Sequence, residues 1–203
     1  CNLFRILALI GDEQADRLTV STLPASHSWF HADEERLFSR LDAMSGFLDV
    51  LGRQTGRLMQ LGLEPEPFGH FHDTDGAIRF FNGLRNRSRR PELIERHLGL
   101  TYDTCHFAIL REEPEFTLSA WEENNIALCK VQFSNALECR ICGEEDLERL
   151  RQFDDGVYFH QTSILHREGA MLFPDLPNAL AYGRDYAEEI RDSQWRIHYH
   201  IPL

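Results

Sequence analysis

The sequence has few basic residues for its acidic content. Lys and Arg total 21 against 33 Asp and Glu, which gives a net charge of −12 with histidine neutral. Such a charge repels the phosphates of nucleic acids and of anionic lipids. We therefore expect neither a nucleic acid nor a membrane among its partners. The one basic cluster, 85–90, is interpreted as a solvated connection, with a phosphate-bearing ligand as the alternative.

Long hydrophobic runs and disulfide patterns are also missing. No apolar stretch approaches the roughly 20 residues that cross a bilayer, and the first residues do not resemble a signal peptide. A cytoplasmic location is the resulting expectation. The five cysteines form no disulfide framework, so reduced thiols are expected. Cys139 and Cys142 form a lone CxxC, without the second pair that a structural zinc requires.

What the sequence does contain is a regular alternation of strands and helices. Apolar runs predict strands over 18–23, 58–63, 98–103 and 126–132. Helical periodicity occupies the intervals, over 33–52, 75–84, 91–97 and 113–124. Strands that alternate with helices in this way form parallel sheets with right-handed crossovers. We expect an α/β fold in a single domain spanning 1–203, since this length suits one domain better than two.

The alternation changes after a predicted helix at 144–153. Two strand-like segments, 157–162 and 170–173, bracket a turn-like Arg-Glu-Gly at 167–169 and predict a β-hairpin. Pro177 is expected to open a helix that runs to about 190, because proline is favoured in the first helical turn. The segment 195–203 predicts a last strand. We therefore expect a hairpin insertion near 157–173 within the single domain.

Residues with metal-binding or acid–base chemistry lie at the carboxyl ends of three of the predicted parallel strands. They are Glu64 and Glu66, then Asp103 and His106, then Lys130 and Gln132. The carboxyl ends of parallel strands meet at the edge where α/β enzymes keep their chemistry, so we expect a site there. Carboxylate and imidazole ligands suit Mn²⁺, Mg²⁺, Co²⁺ or Zn²⁺. The structural alternative is that the carboxylates favour helix N-termini, with the histidine in a first helical turn.

A second group of candidates lies closer to the end of the sequence. Arg196, His198 and His200 alternate along the predicted last strand and therefore share a face. The structural alternative is a two-sided strand whose core face carries the intervening residues. His160 and Gln161 form a weaker motif in the hairpin region. We take His160, Gln161 and Arg196 as candidate substrate-binding residues.

Six motifs, taken in order, resemble the motif series of the EboE family. They are Gly62-Leu-Glu-Pro-Glu-Pro67, Asp103-Thr-Cys-His106, Lys130-Val-Gln132, Tyr158-Phe-His-Gln161, Phe173-Pro-Asp-Leu-Pro177 and Trp195-Arg-Ile-His-Tyr-His-Ile-Pro202. EboE proteins are metabolite-traffic proteins within the xylose isomerase-like TIM-barrel superfamily. The resemblance runs from about Leu18 to the end of the sequence. It implies a TIM barrel of xylose isomerase-like type, with a divalent metal at the carboxyl end of the barrel.

The resemblance also implies a set of metal ligands. Glu64 would be the ligand from the fifth barrel strand and Asp103 the ligand from the sixth. Gln132 falls near the superfamily's usual seventh-strand histidine, and a neutral amide is a poorer ligand than imidazole. His198 or His200 would compensate for that difference.

The predicted strands account for only part of such a barrel. A full TIM barrel has eight strands and typically about 250 residues. The sequence predicts four parallel strands, a hairpin and a last strand, which correspond to the middle and C-terminal strands of an incomplete barrel. By the resemblance, the first three strands would precede Cys1 and the last would follow Leu203. Exposed sheet edges would then be covered or paired with another chain, and a homo-oligomer is one expected arrangement.

The leading prediction is a metal-dependent, isomerase- or epimerase-like protein that acts on a sugar or sugar-like metabolite. The metal would polarise a substrate oxygen, and a carboxylate would move a proton between adjacent carbons. Glu66 is the candidate base, and Lys130 would stabilise a developing oxyanion. By the resemblance, His106 would contact the ligand or a secondary metal, and we take it as a third candidate catalytic residue. The alternatives are a non-enzymatic protein that binds or carries a small metabolite, and a metal-dependent phosphoester hydrolase of the same superfamily.

Overall fold

The computed structural model describes residues 2–11 and 14–201, without the side chains of His200 and Ile201. In chain order the elements are α1 (Asn2–Ile10), β1 (Arg17–Thr22), α2 (Glu34–Thr55), β2 (Leu58–Leu63), α3 (Thr74–Arg87), α4 (Pro91–His97), β3 (Leu98–Asp103), α5 (Thr104–Leu110), α6 (Pro114–Glu123), β4 (Ala127–Gln132), β5 (Asn135–Ile141), α7 (Glu144–Arg151), β6 (Thr162–His166), β7 (Gly169–Phe173), α8 (Leu176–Asp185) and β8 (Ser193–Ile201).

The chain divides into two compact units, and each has its own sheet. Unit 1 comprises Cys1–Asp103 and Pro114–Gln132. Unit 2 comprises Thr104–Glu113 and Phe133–Leu203. The two units are described separately below.

Unit 1 is built on a parallel sheet in which each strand lies beside the next one in the sequence. The order is β1-β2-β3-β4, and all neighbouring pairs in it are parallel. Helices connect successive strands, because parallel neighbours require a crossover from one end of the sheet to the other. The predicted α/β class with parallel strands is confirmed.

The parallel sheet of unit 1 is curled into a half-barrel. β1 and β4 form its two edges, and side chains bridge them. The Arg17 guanidinium on β1 donates to the main-chain oxygens of Leu128 and Cys129 on β4, the latter at 2.9 Å. Lys130 Nζ on β4 donates to Ser21 Oγ on β1 at 3.2 Å. Long cationic side chains therefore satisfy oxygen acceptors between the two edge strands.

Capping residues fix where two helices of unit 1 begin and end. Asp33 caps α2 by accepting a hydrogen bond from Arg36 N at 3.1 Å, and Gly56 ends this helix at φ +71°. Glycine suits that position because a left-handed C-cap is strained for residues with a Cβ. Asp73 caps α3 by accepting from Gly76 N at 2.6 Å.

Among the described helices, none combines the length and apolar character needed to cross a bilayer.

The centre of unit 1 lies on β2 and β3, whose residues are buried on both faces almost throughout. Such burial is typical of parallel strands, which are covered on two sides. Gly62 on β2 allows a close approach of neighbouring strands. A Cβ at this position would lie 2.4 Å from Thr101 Oγ1 and 2.9 Å from Cys129 Cβ. Because Gly62 has no Cβ, the neighbouring strands can approach closely here, and this helps the sheet to curl.

Unit 2 is built on an antiparallel sheet of order β5-β8-β6-β7. β8 pairs with β5 on one side and with β6 on the other. Its residues Trp195 and Ile197 are fully buried and form a core with Ile164 on β6 and with apolar residues of α7 and α8. Trp195 Nε1 donates to Ser193 Oγ at 2.9 Å, which satisfies the one polar atom of the indole inside this core.

The predicted hairpin is confirmed, but its first strand begins later than the sequence pattern suggests. β6 and β7 pair in antiparallel fashion, while 157–161 lies outside the sheet. The Asp155 carboxylate accepts hydrogen bonds from Val157 N at 2.8 Å and Tyr158 N at 3.1 Å. Side-chain bonds of this kind hold the backbone in a turn and compete with strand formation.

Other elements of unit 2 also differ from the sequence prediction. The patterns did not predict β5 or α5, and the latter places His106 in a helix, as the structural alternative proposed. The buried Ala136 and Ile141 on β5 belong to an apolar–polar alternation that could have indicated a strand. α8 ends at Asp185 and not near 190, since Tyr186 departs from helical geometry.

Candidate functional site

Glu64 lies directly after β2, at the carboxyl edge of the parallel sheet. Its main-chain N donates to Thr22 O at 2.9 Å, which extends the pairing of β1 and β2 by one step. Pro65 has no N–H with which to continue that ladder. Gly69 N donates to Glu66 O at 2.7 Å, so the chain turns immediately afterwards. The prediction that Glu64 and Glu66 follow a buried strand is confirmed.

Asp103 and Gln132 are the last residues of β3 and β4, and they are paired in register. Asp103 is fully buried, with 0% of its surface exposed, and Gln132 is half-buried. Gln132 Nε2 donates to Glu64 Oε1 at 2.7 Å and to Asp103 Oδ2 at 2.8 Å. One carboxamide therefore holds two carboxylates that come from two other strands.

Lys130, the only lysine in the sequence, brings positive charge to this group. It precedes Gln132 by two residues on the same face of β4, and its Nζ donates to Gln132 Oε1 at 2.8 Å. An ammonium group can only donate, so Gln132 turns its oxygen toward Lys130 and its NH₂ group toward the carboxylates. In this arrangement Gln132 orients the two predicted ligands. We refer to Glu64, Asp103, Lys130 and Gln132 as the carboxylate site.

The carboxylate site concentrates like charges. Oxygens of Glu64 and Asp103 lie within 4.8 Å of each other. The pKa of Glu64 is raised to about 7, first by burial and then by the negative charge of Asp103, while the charge of Lys130 lowers it. Glu66, which is half-buried, adds a smaller upward contribution to the same pKa. Glu64 therefore exchanges a proton near neutral pH, and a bound cation would relieve the repulsion.

The predicted histidines and Gln161 belong to unit 2. There His198 contacts both His106 and Gln161. His106 on α5 and His198 on β8 are buried, with 4% and 8% of their surfaces exposed. Their ring centroids lie 4.8 Å apart with the ring planes at 86°. The Gln161 side-chain oxygen accepts a hydrogen bond from His198 Nδ1, and its main-chain oxygen accepts from His198 N at 2.9 Å.

His160 lies in the same part of unit 2. Its Nδ1 donates to His198 O at 2.9 Å, and its main-chain N donates to Asp175 Oδ1 at 2.9 Å. The ring stacks on Tyr199, with centroids 4.7 Å apart, and Nε2 lies 3.4 Å from Asp155 Oδ1. We refer to His106, His160, Gln161 and His198 as the histidine cluster.

The remaining candidates have contacts of a different kind. Arg196 Nε donates to Glu138 Oε2 at 2.7 Å and its NH1 donates to Ala108 O at 2.8 Å, so its guanidinium joins β8 to β5 and α5. Its predicted role in substrate binding stays a prediction. The side chain of His200 lies outside the described part of the chain. Cys139 is a half-buried free thiol whose burial raises its pKa to about 11, and Cys142 is an exposed free thiol.

The sequence patterns did not single out Ser21 or Tyr199. Ser21 lies next to the end of β1 and opposite Gly62 in the register, so it reaches Lys130 across the curled sheet. The strand pattern alone places Ser21 at this edge of the sheet, but only the curl brings it to Lys130. Tyr199 could have been noted as a neighbour of His198 and His200 in the sequence.

The described residues thus include carboxylate and imidazole groups of the types that bind metal ions. Comparisons with known proteins add no assignment to this picture. No protein-family model matches the chain, and the search of curated proteins gave no significant match.

Proposed function

We propose that the carboxylate site binds a divalent metal ion and serves the isomerisation or epimerisation of a sugar-like metabolite. The observation that carries this proposal is the Glu64–Asp103 pair, held by one carboxamide at the carboxyl edge of a curled parallel sheet. The sequential order of the parallel strands also supports a barrel of the TIM type over a doubly wound sheet, in which the order reverses. The resemblance to the EboE family is part of the same proposal.

The residues present fit a hard divalent ion. Glu64 and Asp103 supply oxygen ligands, which Mg²⁺ and Mn²⁺ prefer. The raised pKa of Glu64 reflects burial and a neighbouring negative charge, and a cation offsets that repulsion. When bound, the ion would polarise a carbonyl or hydroxyl oxygen of the metabolite.

The chain's own residues would handle the proton. Glu66 lies close enough to affect the pKa of Glu64, and in this proposal its carboxylate removes a proton from one carbon and returns it to the neighbouring carbon. Lys130 is exposed and already donates two hydrogen bonds, to Ser21 and to Gln132. Its third N–H would donate to the oxygen on which negative charge develops.

The metal-binding part is tested by calorimetry with Mn²⁺ and Mg²⁺. Glu64→Gln and Asp103→Asn each remove a charged ligand and keep the side-chain shape, so affinity should fall by at least about tenfold. Glu92→Gln, an exposed position on α4, is the matched control and should bind as the parent protein does. Equal affinity in all four proteins would refute the proposed site.

The catalytic part is tested by incubating the metal-loaded protein with aldoses and ketoses in D₂O. An isomerase or epimerase that moves a proton between carbons introduces solvent deuterium at the reacting carbon, which proton NMR detects. Glu66→Gln should abolish that exchange while leaving Mn²⁺ affinity nearly unchanged. Exchange that persists in this variant would exclude Glu66 as the base.

A non-catalytic binder of the same metabolites is the second candidate. It is favoured by Gln132, which directs its NH₂ group and not its oxygen toward the carboxylates. Such a protein would bind a sugar or polyol in a metal-dependent way, and deuterium would not enter the ligand.

A further inference from the structure

We propose that an open groove beside α3 in unit 1 binds a small carboxylate with a flat apolar body, such as an aromatic acid. The groove has a volume of about 420 Å³ and lies between α2, α3 and the segment 70–73. This volume is within the usual range for small-molecule sites. We refer to it as the α3 groove. It shares no residue with the carboxylate site, so the inference is independent of the proposed function.

Aromatic rings form the apolar wall of the α3 groove. The ring of Phe80 is central, with its centroid 5.2 Å from that of Phe38 and 4.6 Å from that of Phe71. All three side chains are buried, so their packing against one another fixes the orientation of the wall. His70 adds a fourth ring, edge-to-face with Phe80 at 5.6 Å. A flat apolar ligand gains stacked or edge-to-face contacts with such a wall.

The face of α3 leaves space around Arg79, which also lines the groove. Gly76, Arg79 and Gly83 are three and four residues apart, so they share one face of the helix. A Cβ at Gly76 would lie 3.7 Å from Arg79 NH2, so the guanidinium extends over this glycine. At Gly83 a Cβ would lie 3.2 Å from Phe38 Cζ, so the aromatic wall begins directly beside the helix. An apolar surface and a cation therefore lie side by side.

Arg79 is a cation without a counter-ion in the described part of the chain. Among the described residues it forms neither an ion pair nor a hydrogen bond. The guanidinium of Arg87, which also lines the groove, is placed differently, over the ring of Phe38 at 5.1 Å. A guanidinium offers paired N–H donors that match the two oxygens of a carboxylate. Arg79 is therefore the group that would hold the acid of the ligand.

The acidic residues at the border of the α3 groove already have neighbours. The Asp73 carboxylate accepts a hydrogen bond from Gly76 N at 2.6 Å, as the cap of α3. Glu34 Oε1 lies 3.7 Å from His70 Nε2. The chain as a whole has a net charge of −12, which repels anions over most of its surface. An unpaired guanidinium beside an aromatic wall is a local exception to that repulsion.

The alternative is a solvated gap between two helices, in which Arg79 only favours solubility. Arginine is mostly exposed in proteins, and this alternative needs no ligand. It predicts that an aromatic acid binds with the same affinity whether or not Arg79 is present. It also predicts no preference for an acid over a neutral molecule of the same shape.

NMR titration of the whole chain with naphthalene-2-carboxylate separates the two readings, with naphthalene-2-carboxamide as the neutral probe of the same shape. The acid should shift the backbone amide resonances of Gly76, Gly83 and the segment 70–73. Arg79→Gln should weaken binding of the acid by at least about tenfold, because a charge-assisted pair of hydrogen bonds is lost. The amide should bind the parent protein more weakly than the acid by a similar factor.

Arg40→Gln is the matched control, since Arg40 is an exposed arginine of α2 that does not line the groove. Its affinity for the acid should stay within about twofold of the parent, and circular dichroism establishes that both variants are folded. Equal affinities of Arg79→Gln and Arg40→Gln would overturn the proposal. So would equal binding of acid and amide, or resonance changes confined to other parts of the chain. The proposed function is tested separately, with Mn²⁺ and the carboxylate variants.

Discussion

Glu64 and Asp103, from the ends of neighbouring strands, place their carboxylate oxygens within 4.8 Å of each other. Burial and the charge of Asp103 are the main causes of the raised pKa of Glu64, and a hydrogen bond between the two side chains adds a smaller upward contribution. Buried like charges of this kind reduce stability and are common at functional sites. The first three predictions concern the groups that control this pair.

Replacing Glu64 by glutamine should flatten the pH dependence of stability. The pKa of Glu64 is about 7 in the folded protein, against an ordinary value of 4.5. A raised folded-state pKa contributes stability that is fully present below the ordinary pKa and is lost as the pH rises through 7. In metal-free buffer at about pH 8, Glu64→Gln should therefore be more stable than the parent by about 1 kcal/mol, a value reduced by solvent screening of the half-buried carboxyl.

Urea unfolding at about pH 5 and pH 8 measures this difference. Gln54→Glu, at an exposed position on α2, controls for the general effect of one acidic charge. A parent protein whose stability does not fall between these pH values would contradict the raised pKa of Glu64.

Removing the charge of Lys130 should raise the pKa of Glu64 further. The ammonium group of Lys130 lowers this pKa, because its positive charge favours the carboxylate form. In Lys130→Met the pKa should move upward, as measured by carbon-13 NMR titration of the Glu64 carboxyl. Arg53→Met, at an exposed cation on α2, should leave that titration unchanged. An unchanged or lower pKa of Glu64 in Lys130→Met would contradict the predicted effect of the ammonium charge.

Gln132→Leu should destabilise unit 1. Both carboxylates lose a hydrogen-bond donor while Asp103 stays buried, and an unsatisfied buried acceptor costs about 1–3 kcal/mol. Chemical denaturation measures the loss. Gln54→Leu, on the exposed surface of α2, should change stability by less than about 0.5 kcal/mol. Equal effects of the two substitutions would mean that the carboxamide contributes nothing specific.

Gly62→Ala should be costly although it adds a single carbon. The new Cβ would meet Thr101 Oγ1 and Cys129 Cβ at distances shorter than van der Waals contact, and overpacking of this kind costs about 1–3 kcal/mol. At Gly143, the N-cap of α7, a Cβ meets no atom of the described residues within 4 Å, so Gly143→Ala is a control that loses only the capping preference for glycine and should cost less than Gly62→Ala. Thermal unfolding of both variants checks this, and comparable melting temperatures would argue against the close strand approach at 62.

Much of unit 1 could be predicted from local patterns. The apolar runs around Leu61 and Leu100 identify β2 and β3, since strands buried on both faces are apolar almost throughout. Pro65 marks the end of the β2 ladder, because it has no N–H to donate. These features depend on neighbours in the sequence, so the sequence alone is sufficient to find them.

Unit 2 was harder to predict because its pairings join distant segments. β8 lies between β5 and β6, and no local signal states which strand pairs with which. The expectation that 157–161 forms a strand was wrong, since the Asp155 side chain satisfies the backbone N–H groups of Val157 and Tyr158. A side-chain bond to the backbone prevailed there over the apolar pattern.

The sequence by itself determined the strand ends and therefore the chemical types of residue at the carboxyl edge of unit 1. Only the tertiary structure decided how those residues act on one another. The curl of the sheet brings Ser21 to Lys130, and the network of donors turns the Gln132 amide nitrogen toward Glu64 and Asp103. Hydrogen-bond direction and burial are properties of three-dimensional arrangement. The family resemblance therefore implied Gln132 as a ligand, whereas in the fold its amide nitrogen holds the two carboxylates that are predicted as ligands.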